Sequence, residues 1–306
     1  MPEQFTERLH GIIPPVTTPL TEEGAFDPES AKNLYRYMLE SGVHGLFLFG
    51  SSGEGPVIND DERTFAVQTA VEVLQSRIPL LVGVLFPGTK QVITHGRLAK
   101  RLGADALVVA PPFYFPATQD ELLDHFRAVR REVELPIIAY DIPATTKIKV
   151  QLNTMLQLAR EGTVVGVKDS SGDVAGFRRL LAKRPPGFKM FTGSELLIDA
   201  VLLMGADGAV PGLANVTPEL FVQLYDHWNA GRQAEAVEIQ RRIVQLFEAL
   251  VPPDNALTAA YAIGFMKAAQ KLRGVIASTR TSLPLTQFTT EQEERTRRIL
   301  IEAGLL

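Results

Sequence analysis

Short runs that are apolar at nearly every position alternate along the chain with stretches whose apolar residues recur every three or four positions. The runs are GIIPPV from Gly11, GLFLFG (45–50), LLVGVL (80–85), ALVVAP (106–111), PIIAYD (136–141), VVGVKD (164–169), FKMFTG (188–193) and GAVPG (208–212). Such runs are strands buried on both faces, which is the habit of a parallel sheet covered by helices. The intervening stretches DPESAKNLYRYMLESG, NDDERTFAVQTAVEVLQS and TQDELLDHFRAVRREV open on Asp27, Asn59 and Thr118. Each has acids in its first turn, as helix N-termini prefer. GVHGL, GADAL and GADGA form a faint repeat, each placing a glycine (Gly42, Gly103, Gly205) between a helix and the next strand. A left-handed helix end there marks the turn into a strand.

Eight strand–helix units predict an α/β fold, a (β/α)8 TIM barrel, over residues 1–230. Residues 231–306 read as further helices, RQAEAVEIQRRIVQLFEAL, NALTAAYAIGFMKAAQKL and TTEQEERTRRILIEAG. No linker rich in Gly, Pro or Ser precedes them, so they are expected to pack on the barrel as part of one structural unit.

Composition narrows the function classes. Of 306 residues, 31 are basic and 35 acidic, giving a net charge of −4 without a basic block, so nucleic acid is not an expected partner. There is no cysteine, which removes disulfides, thiolate nucleophiles and cysteine-based metal sites. The start MPEQFTERLHG lacks the features of a signal peptide and no apolar run reaches the length of a membrane span, so the expected location is cytoplasmic. The five histidines, His10, His44, His95, His125 and His227, all fall away from the strand C-termini, and no metal site is expected.

Function in a barrel sits where strands end. Lys168 ends the sixth run and Tyr140 lies near the end of the fifth, while GSSGEG (50–55) follows the second and PPFYFP (111–116) the fourth. Strand alternation places Val164, Gly166 and Lys168 on one face, and Ile138 and Tyr140 on one face of the neighbour. If that face is the interior, Gly166 leaves room beneath the lysine and Tyr140 stands beside it. A lysine at a strand end is ordinarily a solvated surface residue, and a tyrosine there is ordinarily packing. A desolvated amine, however, is a nucleophile toward ketones, and a neighbouring phenol can move the proton. GSSGEG matches neither nucleotide-binding glycine pattern, but Ser51, Ser52 and the turn amides suit a small carboxylate.

Taken together, GSSGEG, YDIP and GVKDSSGD resemble the dihydrodipicolinate synthase and N-acetylneuraminate lyase superfamily. The resemblance implies a class I mechanism without a cofactor, in which Lys168 forms a Schiff base with pyruvate or another 2-keto acid and Tyr140 transfers protons. It implies that Ser51 and Ser52 hold the keto-acid carboxylate and that the Val210 carbonyl contacts the lysine region. Tyr114 would reach a neighbouring site across a dimer interface, so a homo-oligomer, dimer or tetramer, is expected.

The lysine-pathway synthases carry an Arg after the tyrosine motif, where YDIPATT has Thr145. Loss of that carboxylate clamp weighs against their reaction. Sialic acid lyases place acids after the seventh strand; in GSELL, Ser194 and Glu195 can bind hydroxyls and Leu196 cannot. The motifs look closer to the aldolases of 2-keto-3-deoxy sugar acids, with an aldehyde as the second partner. Dihydrodipicolinate synthesis, keto-deoxy acid dehydration and 4-hydroxy-2-oxoglutarate aldol cleavage are the alternatives. A barrel that binds a keto acid without turnover has no use for the lysine.

Overall fold

The computed structural model describes residues 2–252 and 256–306. Eight strands form one parallel sheet: β1 (Gly11–Ile12), β2 (Leu46–Leu48), β3 (Leu80–Gly83), β4 (Ala106–Val109), β5 (Ile137–Asp141), β6 (Gly166–Asp169), β7 (Lys189–Thr192) and β8 (Gly208–Ala209). β1 pairs with β8. The remaining gap is closed by a parallel bridge between Pro15 and Phe47, with amides of His44 and Phe47 donating to the carbonyls of Ile12 and Pro14. Every one of the eight predicted runs contains one of these strands, and the fold is the expected TIM barrel.

Several runs are longer than their strands for local reasons. In GIIPPV the two prolines have no N–H to continue a ladder, and β1 stops at Ile12. In GLFLFG, Phe49 turns left-handed at φ 59° and ends β2. The helical stretches begin where their caps predict. Asp27 accepts from the amides of Glu29 and Ser30, and Asn59 and Thr118 form capping boxes with Glu62 and Glu121. The repeated glycines at 42, 103 and 205 have φ of 80°, 101° and 96°, which a side chain would make strained. A helix over Pro2–Arg8, which the polar N-terminus did not announce, precedes the barrel.

Alternation sorts the strand residues into two cores. Phe47, Leu81, Val108, Ile138, Tyr140 and Phe191 face the interior, with Leu9 below them. Leu46, Leu48, Val82, Val109, Ala139, Val167 and Met190 pack outward against the helices. Each strand therefore buries both faces, which is why the runs are unbroken.

After the barrel come helices over Gln233–Leu250, Ala259–Leu272 and Thr290–Glu302. The first residue of the stretch NALTAAY, Asn255, lies outside the described residues. Among the described residues no helix is long and apolar enough to cross a membrane.

Candidate active site

The C-terminal ends of β5 and β6 bring the two leading residues side by side. Tyr140 and Lys168 are register partners, and both point inward. Lys168 is 5% exposed, and its Nζ lies 4.2 Å from the centre of the Tyr140 ring and 5.2 Å from that of Phe47. Among the described residues, no carboxylate lies within ion-pairing distance of that nitrogen. Its surroundings are aromatic faces and a phenol, which lets an amine face a carbonyl instead of a counter-ion.

Tyr140 is buried, and burial alone would raise its phenol pKa. The positive charge of Lys168 opposes this, as do hydrogen bonds with Ser51, Lys168 and Ser170, and the net direction is downward. The Ser51 hydroxyl lies 3.5 Å from the phenol oxygen. A buried phenol that gives up its proton more easily than usual is equipped for acid–base work.

Ser52 sits beside the loop after β8, since a Cβ on Gly212 would come within 3.4 Å of its Oγ and 3.1 Å of Glu195 Oε1. That Glu195 oxygen accepts from the amides of Gly212 and Leu213 at 2.6 and 3.1 Å, which orders the loop. Val210 is buried in the barrel interior, its amide donating to the Thr192 carbonyl.

Three candidates stand apart from this group. Ser194 borders a small recess with Asp169, Thr192 and Phe177, on the outward side of the β6–β7 edge. Thr145 is exposed on the short helix Pro143–Thr146. Tyr114 is 86% exposed at φ 79°, with the ring of the also exposed Phe115 edge-on 5.1 Å away.

Two sequence expectations are corrected. Val164 precedes β6, donates to Leu158 and packs among the outer core residues, so it does not share the face of Lys168. Gly166 admits the neighbouring strand, because a Cβ there would lie 2.7 Å from the Lys189 carbonyl oxygen. The room at the lysine comes from Gly193, where a Cβ would stand 3.1 Å from Lys168 Cε and 2.0 Å from Ser170 Oγ.

Sequence reasoning therefore missed Gly193 and Ser170 as parts of the site. It also passed over Glu54 in GSSGEG and Lys267 in the apolar stretch IGFMKAA, although a lone lysine in such a stretch is a usable signal.

Known proteins resemble this chain over nearly their full length. The model of the Dihydrodipicolinate synthetase family matches residues 8–303. An uncharacterized DapA-like lyase of Halobacterium salinarum is 33% identical over 97% of this chain and 95% of its own length. The 4-hydroxy-tetrahydrodipicolinate synthase of Nitrosomonas europaea is 31% identical over 96% of this chain and 98% of its own. Among solved structures, YagE of E. coli K12, a prophage protein of the dihydrodipicolinic acid synthase family in complex with pyruvate, superposes with a TM-score of 0.90. It is 27% identical and the match covers 97% of this chain and 99% of that one. With a family model spanning the barrel and its C-terminal helices, and full-length relatives above 30% identity, the chain belongs to the dihydrodipicolinate synthetase family of lyases.

Proposed function

We propose that this lyase is a Schiff-base-forming, pyruvate-dependent aldolase that cleaves or forms a 2-keto-3-deoxy sugar acid such as 2-keto-3-deoxygluconate. The observation that carries the chemistry is the buried Lys168 amine 4.2 Å from the ring of Tyr140, whose hydroxyl meets Ser51. Pyruvate bound to a neighbour of the same fold supports the choice of keto acid.

In the cleavage direction the neutral amine of Lys168 adds to the keto carbon, and loss of water leaves an iminium. The C3–C4 bond then breaks toward the iminium while Tyr140 takes the proton of the C4 hydroxyl, releasing an aldehyde and leaving an enamine. Protonation at C3 and hydrolysis return pyruvate and the free lysine. The iminium is the electron sink, so no metal is required. Ser51 and Ser52 hold the keto-acid carboxylate, and Tyr114 of a second copy completes the site, in keeping with two adjacent exposed aromatic rings.

The sugar-acid assignment rests on Thr145. A neutral hydroxyl in place of an arginine loses a charge-assisted hydrogen bond to an acceptor's carboxylate, worth about 1.5–3 kcal/mol. A second reading, 4-hydroxy-tetrahydrodipicolinate synthesis, is favoured by the names of full-length relatives.

One experiment tests the chemistry and the choice together. Borohydride with pyruvate should leave a reduced adduct on Lys168, in the presence of EDTA, and none in Lys168→Ala. With pyruvate as donor, glyceraldehyde should exceed aspartate semialdehyde about tenfold or more in kcat/KM. No adduct on the wild-type chain refutes the Schiff base, and preference for aspartate semialdehyde installs the second reading.

A further inference from the structure

The turn that carries Ser51 and Ser52 is held in an unfavourable shape. It is bracketed by two non-glycine residues in the left-handed region, Phe49 at φ 59° and Glu54 at φ 57°. It folds back so closely that a Cβ on Gly55 would lie 2.0 Å from the Phe49 carbonyl oxygen. Its own bonds are few, with the Glu54 amide donating to Ser51 and the Gly55 amide to Gly50 at 3.2 and 3.1 Å. Such conformations persist only where the surroundings over-determine them.

On one side the helix Asp60–Leu74 supplies Arg63, which bonds the Gly55 carbonyl and lies between the rings of Phe49 and Phe86 at 4.7 and 4.8 Å. On the other side the anchor comes from the far end of the chain. Glu54 Oε1 meets Lys267 Nζ at 2.5 Å, and both side chains have no solvent exposure. The second Glu54 oxygen accepts from the Ser282 amide, and Lys267 also donates to the Arg280 carbonyl, each at 2.5 Å. One turn further along the same helix, Gln270 bonds Thr17 and Asn215, in the loops after β1 and β8. A buried carboxylate and ammonium are tolerated only when paired, so this pair resists separation and keeps Glu54 where it is.

We propose that the Glu54–Lys267 pair is a positioning strut, through which the C-terminal helix Ala259–Leu272 holds the serine turn against Tyr140 and sets the affinity for the keto acid. This rests on the reading of Lys168, Tyr140 and Ser51 given above. Neither residue of the pair touches the reacting atoms; each acts through the turn.

The test uses Lys267→Met and the double variant Glu54→Gln/Lys267→Met, in which no charge is left unpaired. In borohydride trapping, half-saturating pyruvate should rise about tenfold or more, while the trapping rate at saturation stays within about threefold of wild type, the pattern of lost binding. A pair that only stabilised the fold would lower Tm and leave half-saturation of the folded protein unchanged. Amide exchange gives a readout that needs no turnover. The Glu54 and Gly55 amides should exchange about tenfold faster or more in the double variant, with β5 and β6 unaltered. Unchanged half-saturation together with unchanged exchange at the turn overturns the strut. So does a double variant that cannot be obtained folded, since the pair would then carry the whole fold. Absence of any wild-type adduct overturns the Schiff-base reading instead and leaves the exchange experiment to decide the strut.

Discussion

Gly193→Ala is the smallest change that reaches the candidate lysine. The glycine lies just past the end of β7 and is absent from the residues with positive φ, so alanine meets no backbone strain there. The effect is therefore purely one of space. The new methyl carbon would fall 2.0 Å from Ser170 Oγ, about 1.5 Å inside ordinary contact, and 3.1 Å from Lys168 Cε, about 0.4 Å inside it. Ser170 can escape only by turning its hydroxyl, which takes it away from the Tyr140 phenol whose pKa it helps to lower. Lys168 must then shift by a few tenths of an ångström.

A displacement of about 1 Å in a reacting group can cost roughly 100-fold. Two smaller faults in adjacent groups are expected to lower kcat/KM by about 30- to 100-fold. The basic-side titration of Tyr140 should also move to higher pH, because one of the hydrogen bonds that lowers its pKa is gone. Stability should change little, by about 1 kcal/mol or less, since the methyl displaces mobile side-chain ends and not backbone. The assay is the pH dependence of borohydride trapping and of pyruvate release, with Tm measured in parallel. Adding Ser170→Ala removes the closest of these contacts, and should restore part of the trapping rate but not the pH profile. Activity of Gly193→Ala within threefold of wild type, with an unmoved profile, would refute the proposed packing of the lysine.

Two further outcomes follow from the geometry. Tyr140→Phe keeps the buried ring and removes the hydroxyl, so turnover should fall by ~10²–10⁴-fold with little loss of Tm, and a loss below threefold would assign the residue to packing. Burial lowers the pKa of His44 and of His125 to about 4 each, so both are neutral in the folded chain while the unfolded chain protonates near 6.5. Their stabilising contribution is complete above pH 6.5 and is lost as pH falls toward 4, by about 3 kcal/mol for His125 and roughly half that for the partly solvated His44. Histidine proton resonances followed by NMR should show both rings titrating below pH 5, and an ordinary value for His125 would remove the account.

Much of the barrel was legible because its signals are local. An unbroken apolar run, a capping Asp27, Asn59 or Thr118, and a left-handed Gly42, Gly103 or Gly205 each depend on residues within one turn or one strand. The adjacency of Tyr140 and Lys168 was legible too, because β5 and β6 are consecutive and parallel pairing puts their ends together. Tertiary structure decided what no local rule contains. Which glycine makes space for the lysine depends on how closely β7 approaches β6, and the answer was Gly193, while Gly166 serves the strand pairing. Whether Glu195 is wholly free for a ligand depended on the amides of Gly212 and Leu213, brought to it by the loop after β8. The meeting of Glu54 with Lys267 joins distant parts of the chain, and only the packing of the C-terminal helix on the barrel could select that partner. Period and capping are properties of neighbours in sequence, whereas close approach and buried charge pairing are properties of neighbours in space.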